Sequence, residues 1–319
     1  MLVPTCKIEL EPFEAFGFAT EIVVESSVKT LTDTATIKLP RNVRLRRANL
    51  RETLRPGARV RLETGYGGEN GAKFSGFVAR TVPSVPFEIH CEDAMWKLKQ
   101  TTITRAWKRA TLRRVLTEIL PPEMENFVAA DVELGDFRAD GQSVAQILFR
   151  LQKDAGLHSR ILEDGRLWTG LPYLSEQSSP SVPIVFHFQR NVVSSNLEYR
   201  SESSRLIKVK AVSLLPNGRK LSVEVGDPDG ETRTLHFYDA RSEADLRRKA
   251  ENETSKMKSE GYTGSFTAFG VPVVRVGDTV ELRDDEFTER RGNYVVESVK
   301  RTYGTGGYRQ EISLGYRVN

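Results

Sequence analysis

The feature that most constrains the fold of this chain is a weak internal repeat. One segment in each half of the chain has the pattern Gly-x-x-Val-x-Leu, and two further strand-like segments follow each of them. The first copy comprises Gly57–Leu62, Phe74–Val78 and Phe87–Ile89, and the second comprises Gly277–Leu282, Gly292–Val296 and Gln310–Leu314. Alternating strands between glycines also look alike by chance. The repeat therefore leaves two interpretations open: a coincidence, or a duplication that folds into two related small β-barrels.

The wider pattern predicts a mainly β fold with an α+β insert. Alternating segments such as Thr34–Leu39 lie between Gly- or Pro-containing turns, which is typical of a sandwich or small barrel. We expect a first β-barrel over residues 1–100, an α+β insert over residues 101–174, and a second β-barrel over residues 175–319 with a surface helix near residues 242–260. The polar segment Ser175–Ser181 is the best candidate for a linker.

Two helices are predicted in the insert. The first has an apolar face at helical spacing, formed by Leu112, Val115, Leu116 and Ile119. The second begins after Ser143, because Ser143 and Gln146 form a capping-box pattern, and Gly156 stands where a helix ends in the left-handed conformation.

Composition excludes several classes of protein. Of the 319 residues, 39% are hydrophobic and 28% are charged, which argues against disorder throughout the chain. The two cysteines, Cys6 and Cys91, cannot form a disulfide scaffold, and we expect both to be unpaired in a reducing cytoplasm. No apolar run approaches the roughly 20 residues that a membrane span requires, and the first residues lack a signal-peptide pattern.

A basic stretch is the strongest local charge feature. Between residues 41 and 61, Glu52 is the one acid among eight arginines: Arg41, Arg44, Arg46, Arg47, Arg51, Arg55, Arg59 and Arg61. Contact with an acidic partner surface, a solvated face and contact with nucleic acid are all compatible with this stretch. Aromatic residues are not interleaved with the arginines, which argues against direct nucleic-acid contact.

No motif predicts a catalytic, cofactor or metal site, so we expect a protein that is not an enzyme. The four histidines, His90, His158, His187 and His236, lack metal-ligand spacing. Asp284–Glu286 lies in a predicted loop and leaves a divalent-cation site as a minor alternative. The Gly-rich segments do not end in Gly-Lys-Ser/Thr, and the three tryptophans, Trp96, Trp107 and Trp168, lie at the ends of predicted elements, where packing is favoured over a sugar-stacking role.

Several of these segments resemble a known family. Thr32–Pro40, followed by a Gly-x-x-Val segment, and Cys91–Leu98 are similar to segments of phage baseplate hub proteins. The C-terminal motifs are similar to the late-control tail proteins of contractile-tailed phages and to the hub portion of type VI secretion spike proteins; they are Gly270–Pro272, Val276–Val280, Gly292–Val296 and Gly306–Gly315.

The resemblance implies a structural role. Hubs of this family form homotrimers in which two related barrels per chain make a ring of six, and this ring adapts a six-fold tail tube to a three-fold spike. Because the chain ends directly after the second barrel, we expect a separate spike protein. The implied partners are the chain itself, the spike, and tail tube and baseplate proteins, with no membrane. The implied location is the virion tail baseplate, assembled in the cytoplasm of the bacterial host.

Two alternatives belong to other classes of function. One is a cell-wall-active or carbohydrate-binding β protein associated with a tail, for which exposed tryptophans could stack on sugars. The other is a nucleic-acid binder that uses the arginines between Arg41 and Arg61.

Overall fold

The structure is a computed structural model, and it describes residues 3–40, 53–67, 69–171, 184–200, 206–215, 219–238, 240–258, 260–288 and 291–318. Twenty β-strands and four α-helices lie within these ranges. Twelve of the strands belong to one sheet, which curls around two separate apolar cores. The predicted class, a mainly β fold with a helix-containing insert, is confirmed.

The first six strands form one half of the large sheet. They are β1 (Pro4–Leu10), β2 (Glu21–Ser27), β3 (Thr34–Leu39), β4 (Arg59–Tyr66), β5 (Glu69–Val82) and β6 (Phe87–Glu92). They hydrogen-bond in the order β1-β4-β5-β6-β3-β2. Successive side chains on a strand point to opposite faces, so alternate residues such as Ile22, Ile37 and Ile89 are buried in one core. We call this unit the first copy.

The insert follows with a core of its own. Its elements are α1 (Met95–Gln100), β7 (Thr102–Thr111), α2 (Leu112–Ile119), β8 (Val128–Ala129), β9 (Glu133–Ser143), α3 (Val144–Ala155), β10 (His158–Ile161) and β11 (Leu167–Gly170). The apolar face predicted for α2 is fully buried, and Ser143 and Gln146 form the predicted capping box at the start of α3. Gly156 ends α3 at a φ of 65°. The short helix α1 was not predicted, because six residues are too few to establish a period.

The rest of the chain contains nine strands and one helix within the described residues. They are β12 (Ile184–His187), β13 (Val192–Arg200), β14 (Ile207–Leu214), β15 (Lys220–Gly226), β16 (Glu231–Phe237), α4 (Glu243–Lys258), β17 (Gly261–Phe269), β18 (Thr279–Arg283), β19 (Gly292–Gly304) and β20 (Gly307–Val318). Six of these strands pair in the order β12-β18-β19-β20-β17-β13 around Phe186, Phe266 and Ile312, and we call them the second copy. The linker predicted at Ser175–Ser181 lies outside the described residues, and the expected domain boundaries stay predictions.

A small layer interrupts the second copy between β13 and β17. Strands β14, β15 and β16 form a three-stranded sheet, and α4 packs on it. The helix expected near residues 242–260 is present. Its thin apolar stripe is not on the surface, because Leu246 and Ala250 are fully buried against this sheet. None of the helices in the described ranges is long and apolar enough to cross a membrane.

The backbone hydrogen bonds confirm the repeat. In the first copy the N–H of Gly57 donates to the carbonyl of Val78 at 2.8 Å, and the N–H of Val78 donates to the carbonyl of Ala58 at 2.9 Å. In the second copy Gly277 donates to Val296 at 2.9 Å, and Val296 donates to Asp278 at 2.9 Å. The ladder register shifts directly after Val78 and directly after Val296, so both copies carry a bulge at the same place. The strand orders also match, position by position.

The two copies differ where they meet other parts of the chain. Strand β1 is antiparallel to β4, whereas its counterpart β12 is parallel to β18. The tight connection between β2 and β3 in the first copy is replaced in the second by the layer of β14–β16 and α4. The two copies therefore share their strand order but differ in the direction of one edge strand and in the segment that connects the second and third strands.

The repeated glycines give a test of the second copy. Gly57 and Gly277 have φ angles of 92° and 90°, a conformation that residues with a Cβ adopt only with strain. We expect Gly277→Val to lower the free energy of unfolding by about 1–3 kcal/mol. Gly306→Ala is the control, because a Cβ there meets nothing within 4 Å. Thermal and denaturant unfolding measure both variants, and an unchanged melting temperature for Gly277→Val would refute the requirement.

Candidate functional site at the junction of the two copies

Strand β2 of the first copy is bonded to strand β19 of the second. Seven residue pairs, from Ser298 opposite Ser27 to Gly304 opposite Glu21, make this ladder antiparallel. The ion pair between Lys300 and Glu25, at 2.9 Å, crosses it. The twelve strands therefore form one sheet because of this single strand pairing.

An aromatic contact joins the copies at a second place. Tyr66, at the end of β4, packs edge-on against Tyr308 of β20 with ring centroids 5.6 Å apart, and its hydroxyl donates to the Tyr308 carbonyl. Arg309 donates to the Tyr66 hydroxyl at 3.1 Å. The Tyr308 ring is fully buried over Gly270, where a Cβ would lie 2.0 Å from the ring. Residue 270 must therefore be glycine for this contact to form.

Charged side chains lie where the two copies and the insert meet, two of them buried (Asp93 and Arg301) and two half-buried (Asp33 and Arg160). We call Asp33, Asp93, Arg160 and Arg301 the junction charges. Asp33 and Asp93 belong to the first copy, Arg160 to β10 of the insert and Arg301 to β19 of the second copy. The Arg160 guanidinium donates to the Val276 carbonyl at 2.6 Å, and that of Arg301 donates to the Val274 carbonyl. Each arginine therefore holds the backbone of the second copy directly before β18.

The hydrogen bonds of the two aspartates go to residues of the first copy and to the start of α1. The Asp33 carboxylate accepts a hydrogen bond from the Ser26 hydroxyl at 2.7 Å. The Asp93 carboxylate accepts from the backbone N–H of Asp33 at 3.0 Å and from that of Met95 at 2.9 Å. These bonds fix the start of β3 against the start of α1.

Burial changes the acidity of this group. It raises the pKa of Asp93 to about 7, and the neighbouring Asp33 carboxylate acts in the same direction. Burial also raises the pKa of Asp33, against the hydrogen bond from Ser26 and the charges of Arg301 and Arg160. For Arg301, burial lowers the pKa of the guanidinium. Opposite charges in one buried region compensate part of the cost of removing each of them from water.

A cavity of about 480 Å³ opens beside the junction charges. Its polar lining includes Ser26, Asp33, Arg160, Arg275, Asp278 and Arg301, so all three units contribute to it. Arg275 forms a two-pronged ion pair with Glu163 at 2.5 and 2.8 Å, which ties the second copy to the insert. The described residues of the lining include neither histidine nor cysteine, and they carry both signs of charge. The cavity is therefore a polar space between the first copy, the insert and the second copy.

The three tryptophans pack against other side chains or lie buried. Trp107 and Trp168 are 3% and 8% exposed, and the Trp107 ring N–H donates to Glu118 at 2.8 Å. Trp107 lies inside β7 and not at its end, contrary to expectation. Trp96 stacks on Phe77 with ring centroids 5.7 Å apart. The packing role expected of these residues agrees with these contacts.

Among the basic residues, Arg41, Arg44, Arg46, Arg47 and Arg51 lie outside the described residues. Arg59 and Arg61 are on β4 with exposed side chains, and Arg61 lies 3.9 Å from Glu9. The charge stretch therefore continues onto an exposed strand face.

In the acidic segment Asp284–Glu286, the Asp284 carboxylate accepts hydrogen bonds from backbone N–H groups of the same turn. The Asp284 carboxylate accepts from the backbone N–H of Glu286 at 2.9 Å and from the Gln189 amide at 3.0 Å, and Asp285 lies 3.2 Å from His187. In the described part of the chain, no group of three or more His, Cys, Asp or Glu side chains is placed to hold a metal. Both cysteines are free.

The junction charges were missed from the sequence. Asp33 and Asp93 lie in the two N-terminal segments that carry the family resemblance, but nothing in their local sequence indicates burial. Arg160 and Arg301 each lie in a strand, where polar residues alternate with apolar ones, so their local sequence gives no sign of their contacts. Their role depends on which strands become neighbours, and only the tertiary structure determines that.

The solved structures identify the fold. No family model matches the sequence, and no curated protein matches it. The tail protein from Neisseria meningitidis MC58 is 15% identical, with a TM-score of 0.67 over 99% of this chain and 97% of that one. The 43 kDa tail protein of prophage MuSo2 from Shewanella oneidensis is 15% identical, with a TM-score of 0.64 over 98% of both chains.

The chain has the fold of these phage tail proteins. The same fold is found in an E. coli component of the type VI secretion system that is described as similar to tail proteins of bacteriophage T4. That protein is 10% identical, with a TM-score of 0.61 over 98% of this chain and 79% of that one. The resemblance inferred from the sequence motifs is confirmed at the level of the tail-protein fold.

The raised pKa of Asp93 gives a pH-dependent test. An aspartate binds its proton with a pKa of about 3.9 in an unfolded chain, so the folded state binds this proton more tightly. The stability that Asp93 contributes is thus present below about pH 4 and is lost as the pH rises through about 7. We expect the unfolding free energy of the wild type, relative to Asp93→Asn, to fall by more than about 1 kcal/mol between pH 4 and pH 7. Urea titrations measure it, and a constant difference would contradict the burial of a titrating carboxyl.

Proposed function

We propose that this chain is a structural hub of a contractile phage tail or a related injection machine. In this role it forms a homotrimeric adapter that joins a six-fold tail tube to a three-fold spike. The observation that carries the proposal is the duplicated six-stranded unit, with the same strand order and the same bulge in both copies, inside a tail-protein fold. Three chains with two such units each supply six similar units.

The duplication supports the change of symmetry in physical terms. A head-to-tail contact closes into a ring only when its rotation divides a full turn. Six similar units can then present a nearly six-fold face to the tube. The insert and the layer of β14–β16 and α4 occur once in each chain, so in a trimer they recur three times and give the ring three-fold features.

The partners in this role are macromolecular. We propose a spike protein, tail tube proteins and other baseplate proteins as the neighbours, and the tail baseplate, after assembly in the bacterial cytoplasm, as the location. The role needs neither catalysis nor a cofactor. The proposal is supported by the tail and secretion proteins that share the fold. A sugar-binding role is not favoured, because Trp107 and Trp168 are 3% and 8% exposed.

The oligomeric state tests the proposal. We expect light scattering over a concentration series to give a mass of about 108 kDa, three times the 35.9 kDa of one chain. A permanent assembly of this kind buries about 2,000 Å² or more in each interface, so the trimer should persist on dilution. A mass of about 36 kDa at every concentration would contradict the proposed role.

A further inference from the structure

The two junction arginines use only a small part of their hydrogen-bonding capacity. A guanidinium carries several N–H donors in a fixed plane. Arg160 donates to the Val276 carbonyl at 2.6 Å, and Arg301 donates to the Val274 carbonyl. Within the described residues the other donors of both guanidiniums have no hydrogen-bond partner, and both Nε atoms are buried. Because a buried donor without a partner costs free energy, we expect a bound molecule to accept hydrogen bonds from these two side chains.

Two carboxylates line the same cavity as these arginines. They are those of Asp33 and Asp278, and each accepts one short hydrogen bond from the chain, at 2.7 and 2.8 Å. In the described part of the chain, no ion pair joins either carboxylate to Arg160 or Arg301. The charges of both arginines nevertheless oppose the rise that burial causes in the pKa of both carboxyls. Opposite charges therefore line one cavity without touching each other.

The balance of charge in the cavity favours an anion. Of its charged lining residues, Lys73, Glu163 and Arg275 are exposed, so the cavity is open to solvent beside them. Glu163 and Arg275 neutralise each other through their two-pronged ion pair. Lys73 and the two junction arginines then stand against the two carboxylates, which leaves the lining with an excess of positive charge.

The ligand must accept hydrogen bonds from the arginines and should donate one to a carboxylate. Hydrogen phosphate does both: its deprotonated oxygens are acceptors of the kind that guanidinium groups bind well, and its remaining O–H is a donor. We infer that the cavity binds hydrogen phosphate as a structural anion, which accepts from Arg160 and Arg301 and donates to Asp33. Sulfate is similar in size but has no hydrogen at neutral pH, so its oxygens would face the Asp33 carboxylate with no hydrogen bond between them.

The position of the site gives the anion a role in the architecture. Asp33 belongs to the first copy, Arg160 to the insert and Arg301 to the second copy. One phosphate that contacts all three side chains holds the three units in their observed arrangement. A ligand that binds the folded chain alone raises its stability. All of the residues belong to one chain, so this inference does not depend on the oligomeric state.

Binding of three anions tests the inference. We would titrate the full chain by calorimetry at about pH 8, where carboxyls are ionised, in a buffer free of phosphate and sulfate and at fixed ionic strength. We expect inorganic phosphate to bind at one site per chain and to raise the melting temperature. Sulfate and methyl phosphate should bind at least about tenfold more weakly, because a phosphate monoester loses its last proton near pH 6 and neither anion can donate to Asp33.

A loss-of-binding variant locates the site. Arg160→Gln keeps an N–H that can donate to the Val276 carbonyl but removes the charged guanidinium. We expect it to weaken phosphate binding at least about tenfold. The matched control is Arg233→Gln on β16, which removes the same charge from an exposed side chain outside the cavity lining and should leave the affinity unchanged. Circular dichroism spectra show whether both variants are folded.

A gain-of-binding variant tests the role of Asp33 and cannot succeed through misfolding. Asp33→Asn keeps one oxygen to accept from Ser26 and replaces the other with an N–H₂ donor. We expect this variant to bind sulfate at least about tenfold more tightly than the wild type does.

The outcomes are distinct. Absence of phosphate binding at millimolar concentration would overturn the site. Equal affinities for phosphate, sulfate and methyl phosphate, or no gain of sulfate binding in Asp33→Asn, would overturn the hydrogen bond to Asp33. Equal phosphate affinities of Arg160→Gln and the wild type would show that the anion binds outside this cavity.

Discussion

The structure depends on the ladder between β2 and β19, because it turns two curled sheets into one. Strand β2 is the last strand of the first copy, and the backbone N–H and C=O groups of such an edge strand pair readily with other strands. Within the chain, β19 of the second copy pairs with this edge. The aromatic contact of Tyr66 with Tyr308 adds a second point of attachment, so the relative position of the copies is fixed by two separated contacts.

The junction charges have a different role from the ladder. Charged side chains gain little net stability when they are buried, because the loss of hydration offsets their attraction. Arrangements that separate Asp33 from Arg160 and Arg301 would remove the opposite charges that compensate the burial of the Asp33 carboxylate. We therefore regard this group as a device that selects one arrangement of the first copy, the second copy and the insert, a role that the pH dependence of stability can probe.

Much of the fold could be predicted from local sequence. Gly57 and Gly277 mark the repeat because both need a positive φ, and Ser143, Gln146 and Gly156 define α3 through capping. What escaped prediction depends on long-range neighbours. The pairing of β2 with β19 joins residues 271 to 283 positions apart in the sequence, and polar residues such as Arg301 give no sign of burial. The separate layer of β14–β16 and α4 was not predicted, because the thin apolar stripe of α4 indicated a surface helix. In the structure this stripe packs on a small sheet of three strands.

The proposed hub requires that the duplicated unit of one chain builds a ring of six similar units from three chains. Electron microscopy of the purified protein can show this ring in class averages viewed along the symmetry axis. We expect a closed ring with six similar lobes around a central opening, in which three alternate lobes carry the additional density of the insert. Two-fold particles, open chains of subunits or single two-lobed particles would contradict it.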